Sequence, residues 1–288
     1  MKENGGRNVR RHPNNGPVTN MMESTDKKTF FALKTAFMCF LAVASAGAVV
    51  LRLYVISTDK LSTLSAVLTI VIAVCAGVFA FLLRKKAGDS IRTGSPLTAF
   101  AYAVAGFMAV TMIVCSFVIE RQPDKNSFIF ILSLVFAVLA SFYFLLSAAS
   151  SSFCRKVGPF ALFSLSAPLY FAFRALNDYI NIGTMPFKNS GVYHLLGVIF
   201  TMLFFLLESR RLVSGGGTFL YLLTGGTAFL LLCSYDIPVL VNYVRGIASE
   251  GYSAVQSLFS LSVIIYIAVR IVLLPSPDEA VPASAQPE

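Results

Sequence analysis

Residues Ala167 to Asn181 read Ala-Pro-Leu-Tyr-Phe-Ala-Phe-Arg-Ala-Leu-Asn-Asp-Tyr-Ile-Asn, an apolar stretch with an arginine in its interior. At about 100° per residue, Ser166, Tyr170, Arg174, Asn177, Asp178 and Asn181 fall on one side of a helix. On a helix that crosses a bilayer, such a polar stripe must face protein or water, because lipid offers no hydrogen-bond partner. The other apolar segments are then what surrounds it.

The composition supports a membrane setting. Of 288 residues, 56% are hydrophobic and 13% charged, and the mean hydropathy is +0.75. A soluble domain carries roughly 45–50% apolar and about 25% charged residues. Eight apolar segments follow one another: Thr35–Leu51, Ser62–Leu83, Leu97–Ile119, Phe128–Ala148, Pro159–Ile180, Gly191–Leu207, Thr218–Tyr235 and Tyr252–Leu274. Each is near the roughly 17–25 residues that cross a hydrocarbon core about 30 Å thick. The expected fold is all-α, a polytopic integral membrane protein built as a bundle of eight transmembrane helices spanning residues 29–274. Residues 1–28, basic and rich in Asn and Gly, and residues 275–288, acidic and Pro-rich, are expected to be disordered tails. The first 29 residues contain no apolar core or small-residue cleavage site, so the first span itself is expected to direct insertion.

Charge orients the bundle. An even number of spans places both termini on one side, together with Arg84, Lys85, Lys86, Arg92, Arg155, Lys156, Arg210, Arg211 and Arg270. That side carries sixteen Lys and Arg against six on the other, where Arg52, Lys60, Arg121, Lys125, Lys188 and Arg245 lie. The positive-inside rule puts both termini in the cytoplasm, and the expected location is the plasma membrane. The formal charge of +9 therefore reads as topology rather than as a nucleic-acid surface. With no Trp in the chain, the interfacial aromatic belt falls to tyrosines such as Tyr54, Tyr179, Tyr193, Tyr235, Tyr243 and Tyr252 outside and Tyr102 and Tyr221 inside. Apolar onsets near 30, 62, 97 and 128 are followed by others near 159, 191, 218 and 252, which fits either a duplicated four-helix unit or ordinary span spacing.

The motifs of common enzymes are missing: there is no H-E-x-x-H, no G-x-S-x-G and no P-loop. Only His12 and His194 exist, too few for a histidine metal cluster, and the five cysteines stand singly and read as core-filling residues. No catalytic activity, cofactor or metal is expected.

What remains is a set of polar groups near the outer ends of the spans. Arg174 and Asp178 lie on the fifth, Tyr193 and His194 open the sixth, and Asp236 ends the seventh. Tyr170 and Asn177 stand beside Arg174 on the stripe. A charge at mid-bilayer costs about 2.5–3.5 kcal/mol on insertion scales, so such residues usually face a cavity. Their plainer reading is a snorkelling arginine paired with Asp178 on its own helix, and a histidine anchored at the interface. Three hinge candidates accompany them. Pro168 would free the Ser164 carbonyl and kink the fifth span, and Gly225 and Gly226 lie mid-span in the seventh. The segment Asp236 to Gly251 is too apolar for a free loop and reads as an interfacial or re-entrant lid.

Two functions fit these features. The first is binding or transport of a small polar or anionic solute in the outer half, with Arg174, Asp178, Tyr170, Asn177, His194 and Asp236 lining the site and Arg174 as the anion contact. The alternative is a non-catalytic subunit of a larger membrane complex, whose exposed polar or small-residue face docks a membrane-protein partner. Beyond the lipid bilayer, the expected partners are that solute or that protein.

Overall fold

The structure, a computed structural model, describes residues 17–58, 62–84, 96–119, 127–149, 163–183, 189–214, 217–246 and 254–274. These form eight helices: α1 Pro17–Thr58, α2 Ser62–Arg84, α3 Pro96–Ile119, α4 Ser127–Ala149, α5 Ser166–Gly183, α6 Asn189–Ser214, α7 Thr218–Val244 and α8 Ala254–Val272. The protein is all-helical. Among the described residues, four helices are long and apolar enough to cross a membrane, over Lys28–Leu53, Val192–Arg211, Thr218–Val244 and Val255–Val272. Shorter apolar stretches run over Ile70–Leu83, Ala103–Cys115 and Ile131–Leu146. Helix α5, which carries the polar stripe, is not among them.

Helix α1 starts at Pro17, inside the tail expected to lack structure. At about 1.5 Å per residue its 42 residues extend about 63 Å, twice the thickness of a hydrocarbon core. The basic loops and the two outermost tails, on which the orientation argument rests, lie outside the described residues.

Helices α3 to α8 close a ring, each packing on the next and α8 returning to α3, while α1 and α2 pack together against the outside of α7. Among the described residues α6 packs closely on α7, whereas α2 and α3 make no comparable contact. Aromatic side chains fill the ring. Phe171 of α5 stacks on Phe205 of α6 at 5.3 Å and on Phe259 of α8 at 6.0 Å, and Phe205 continues to Tyr266 at 5.5 Å. These separations lie in the range where aromatic pairs attract beyond simple area burial. Close packing of this kind and a few polar contacts are what hold apolar helices together where the surroundings are as apolar as the side chains. Two of those polar contacts are Thr111 Oγ1 to Ser262 Oγ at 2.9 Å, joining α3 to α8, and Ser141 Oγ to the Ala109 carbonyl at 3.1 Å, joining α4 to α3.

The outer surface is apolar. Val43 and Val50 on α1, Val74 and Val78 on α2, Phe107 and Val110 on α3, and Ile131 and Val138 on α4 are all exposed. Helix α7 is the opposite case. It lies against α1, α2, α6 and α8, and its residues 224–228 are all buried.

Several expectations change at the level of individual residues. The chain is helical at Phe163 and Ser164, turns at Leu165 and resumes as α5 at Ser166, so Pro168 stands in the first turn after a break in the helix. The Ser164 carbonyl accepts the Ser209 hydroxyl of α6 at 2.8 Å. Gly225 and Gly226 sit in unbroken helix, and the space beside each is filled: a Cβ on Gly225 would stand 2.9 Å from Phe204 Cδ2, and one on Gly226 would stand 3.3 Å from Phe37 Cζ. They permit close packing; nothing in the backbone marks a hinge there. The expected lid is helical to Val244, because α7 continues through Pro238. It ends when Gly246 takes φ +72°, a left-handed conformation that suits a residue without Cβ. Of the cysteines, Cys115 and Cys233 are buried as expected, but Cys39 and Cys75 face outwards. Tyr221 is buried inside the bundle and is no part of a surface belt.

Candidate functional site

The antiparallel run of helices brings the carboxy-terminal halves of α3, α5 and α7 to the same end as the first turns of α6 and α8. Five of the six expected site residues meet there. Arg174 is 5% exposed, deep in the ring, with its guanidinium carbon 4.9 Å above the ring of Phe259. Its Nη1 donates to the Tyr170 hydroxyl at 3.4 Å and to Cys115 Sγ at 3.8 Å, and its Nε stands 3.9 Å from Asp178 Oδ2. The side chain does not snorkel; an aromatic face and protein acceptors hold it. Tyr170 is itself fully buried and meets Phe259 edge-on at 6.0 Å.

The i, i+4 spacing that places Asp178 one turn beyond Arg174 also aims it at α6. Its Oδ2 lies 3.6 Å from Nε2 of His194, which is completely buried. The other ring nitrogen, Nδ1, faces Asp236 Oδ1 of α7 at 3.4 Å. Gln256 of α8 places its amide 3.4 Å from His194 Nε2, and the Tyr235 ring lies 5.3 Å from the imidazole. The row Arg174, Asp178, His194, Asp236 therefore links α5, α6 and α7, with α3 and α8 supplying Cys115, Phe259 and Gln256.

The ion-pair distances in that row, 3.4 to 3.9 Å, exceed the 2.7–3.2 Å of a good hydrogen bond. Asp178 Oδ2 and both carboxylate oxygens of Asp236 are buried without a hydrogen-bond partner. A buried carboxylate oxygen without a donor costs on the order of 1–3 kcal/mol or more. Such groups ordinarily meet a proton, a cation or a donor from a ligand. The charge balance points the same way: two carboxylates face one guanidinium.

Of the remaining stripe residues, Asn177 is half-buried and is not joined to the row among the described residues. Ser166 bonds the Phe163 carbonyl just before its own helix, and the Asn181 side chain lies outside the described residues. Arg52, assigned from sequence to an outer loop, lies over the rings of Tyr193 and Tyr235 at 5.0 and 5.3 Å, roofing the same end of the bundle. Glu120, Arg121 and Asp124 lie outside the described residues.

The opposite end holds a second buried cluster that the sequence did not single out. Glu208 of α6, 4% exposed, accepts the Tyr266 hydroxyl on Oε1 at 3.0 Å and pairs through the same oxygen with Arg270 of α8. Arg211 lies over the Tyr221 ring at 4.8 Å, and Lys34 Nζ donates to the Leu274 carbonyl at 2.8 Å. The available signal was spacing: Glu208 and Arg211 are i, i+3 on α6, and Tyr266 and Arg270 are i, i+4 on α8. The aromatic column of Phe171, Phe205 and Phe259 separates this cluster from the Arg174 end. Comparison with known protein families, characterised proteins and solved structures finds no match to this chain.

Proposed function

We propose that the chain is a multi-pass plasma-membrane protein of eight spans with both termini cytoplasmic, and that it binds or carries a small polar solute at the Arg174 end. No catalytic step is assigned to it. The observation that carries this reading is the set of buried, unpartnered carboxylate oxygens of Asp178 and Asp236 next to a buried arginine. Burying them has a cost that packing alone does not offset, and a bound donor would offset it.

The solute class follows from the charges. Arg174 remains the contact for a negative group, but two carboxylates outnumber it, so a bare anion fits poorly. A zwitterion or an amine fits better, its positive group on Asp178 or Asp236 and any negative group on Arg174. The aromatic column below the site would have to repack before a solute passed to the other end. That supports a binding step at one face followed by a conformational step.

The subunit alternative has one observation in its favour. Ala32, Ala36, Cys39, Ala42, Ala46 and Gly47 form an exposed small-residue stripe on α1, the kind of face on which membrane helices approach closely.

The test is thermal stability of the purified full chain in detergent with small amines, amino acids and carboxylates added one at a time. A solute bearing a positive group should raise Tm for the wild type, and Arg174→Leu and Asp236→Asn should each abolish that increase. Arg174→Lys should recover part of it, since an ammonium cannot reproduce the planar fork of a guanidinium. An increase that survives both Arg174→Leu and Asp236→Asn would remove the site from this end of the bundle. No response to any of the three chemical classes would remove the solute function.

A further inference from the structure

We infer that His194 is a proton-binding site, its imidazolium form turning one N–H towards Asp178 and the other towards Asp236. The inference rests on the solute-site reading in that both use the same carboxylates, and it supplies that site with its coupling ion.

The geometry is that of a bridge. The two ring nitrogens point to carboxylates on different helices, Nε2 to Asp178 of α5 at 3.6 Å and Nδ1 to Asp236 of α7 at 3.4 Å. A neutral imidazole has one N–H and one lone pair. In either tautomer it would serve one carboxylate and turn a lone pair towards the other. The imidazolium form donates to both. Among the described residues both oxygens of Asp236 lack hydrogen-bond partners, and so does Asp178 Oδ2, with Arg174 Nε 3.9 Å away. With Arg174, Asp178 and Asp236 charged, the cluster carries one net negative charge, and a proton on His194 brings it to zero.

Every neighbouring element brings a group to the imidazole or to its partners. Helix α5 contributes Asp178, with Arg174 beyond it at 3.9 Å; α7 contributes Asp236 and the Tyr235 ring. From α8 comes Gln256, whose amide nitrogen stands 3.4 Å from Nε2; an amide nitrogen only donates, so a protonated Nε2 requires that amide turned to present its oxygen. From α3 comes Cys115, which touches Arg174. Arg52 of α1 lies over the Tyr193 and Tyr235 rings. A metal ion fits the arrangement less well. Divergent ring nitrogens do not close on one point, and among the described residues no group of three His, Cys, Asp or Glu could hold a metal.

Release is a single proton transfer. The Nε2–H bond breaks and an O–H bond forms on Asp178, whose side chain is 13% exposed against 2% for Asp236. Neutral His194 is left donating through Nδ1 to Asp236. A positive group arriving at Asp178 competes for the same oxygen, so proton and solute oppose each other at this carboxylate.

The chain has only two histidines, so a His12→Ala protein labelled with 15N-histidine reports one imidazole. The measurement is its nitrogen NMR spectrum in the full chain, purified in detergent at neutral pH, where an ordinary histidine with pKa about 6.5 is mostly neutral. Both nitrogens are expected to carry protons. Asp236→Asn should return the ring to one protonated and one bare nitrogen, and Asp178→Asn serves if that variant does not fold. A single neutral tautomer with both aspartates in place overturns the inference without any further variant. The outcome is separable from the solute reading. A neutral ring in a protein still stabilised by an amine sinks the proton site alone, whereas a doubly protonated ring with no stabilising solute upholds the proton site and sinks the solute site.

Discussion

Gly225 and Gly226 are adjacent in sequence and both buried, yet the structure predicts opposite responses to alanine. A Cβ on Gly225 would stand 2.9 and 3.0 Å from Cδ2 and Cε2 of Phe204 and 3.5 Å from Ile267 Cγ2. Carbon atoms rest at about 3.5–4.0 Å, so the Phe204 ring would have to retreat by about 0.5–1 Å. It has nowhere to go: Phe204 is fully buried, stacked on Tyr221 at 4.7 Å and edge-on to Phe205 at 5.4 Å. Overpacking of this kind costs about 1–3 kcal/mol, against a helix-propensity gain of about 0.8–1 kcal/mol for replacing Gly by Ala. The net expectation for Gly225→Ala is a loss of about 0–2 kcal/mol. On Gly226 the tightest contact is 3.3 Å to Phe37 Cζ and the next 3.7 Å to Leu41 Cδ2, which a few tenths of an ångström relieve. Gly226→Ala should keep most of its propensity gain and match or exceed the wild type. Thermal unfolding of the two single variants in one detergent, read side by side, measures the difference. If Gly225→Ala is the more stable of the two, the packing account of α7 is wrong. If both fold well and solute binding alone fails, the pair acts as a hinge after all.

Two further outcomes are expected. Arg270→Leu leaves the buried Glu208 carboxylate with the Tyr266 hydroxyl as its donor among the described residues, and breaking a buried pair in this way costs about 3–5 kcal/mol. Glu208→Met combined with Arg270→Leu should be milder than Arg270→Leu alone, and a single variant that melts within about 1 kcal/mol of wild type would show that the pair contributes little. For topology, single cysteines at Lys60, Lys125 and Lys188 in a cysteine-free background should react with an impermeant thiol reagent from outside, and those at Arg92, Arg155 and Ser214 should not. Labelling at Ser214 in intact cells would refute the eight-span arrangement.

Sequence alone was enough to find the helices, because a long apolar run in lipid has to satisfy its own backbone and a helix does so locally. The stripe of Tyr170, Arg174 and Asp178 was legible for the same reason: one face of one helix is set by a 3.6-residue period. Boundaries were harder. Asp236 to Gly251, too apolar for a free loop and too short to span, read as an interfacial or re-entrant lid, but a proline removes only one donor, and packing of α7 against its neighbours carries the helix through Pro238 to Val244.

The partners of each charge belong to tertiary structure. His194 and Asp236 are separated by more than a whole helix, and Glu208 and Arg270 by 62 residues. A charge near the end of an apolar run has the same local signature whether it ends in headgroups or in another helix. Only the ring of α3 to α8 turns Arg174 inward onto Phe259 and sets His194 between two carboxylates. It also closes Glu208 onto Arg270 at the other end. The physical reason is that helix period decides which residues share a face, while what that face meets depends on crossing contacts between helices distant in the chain.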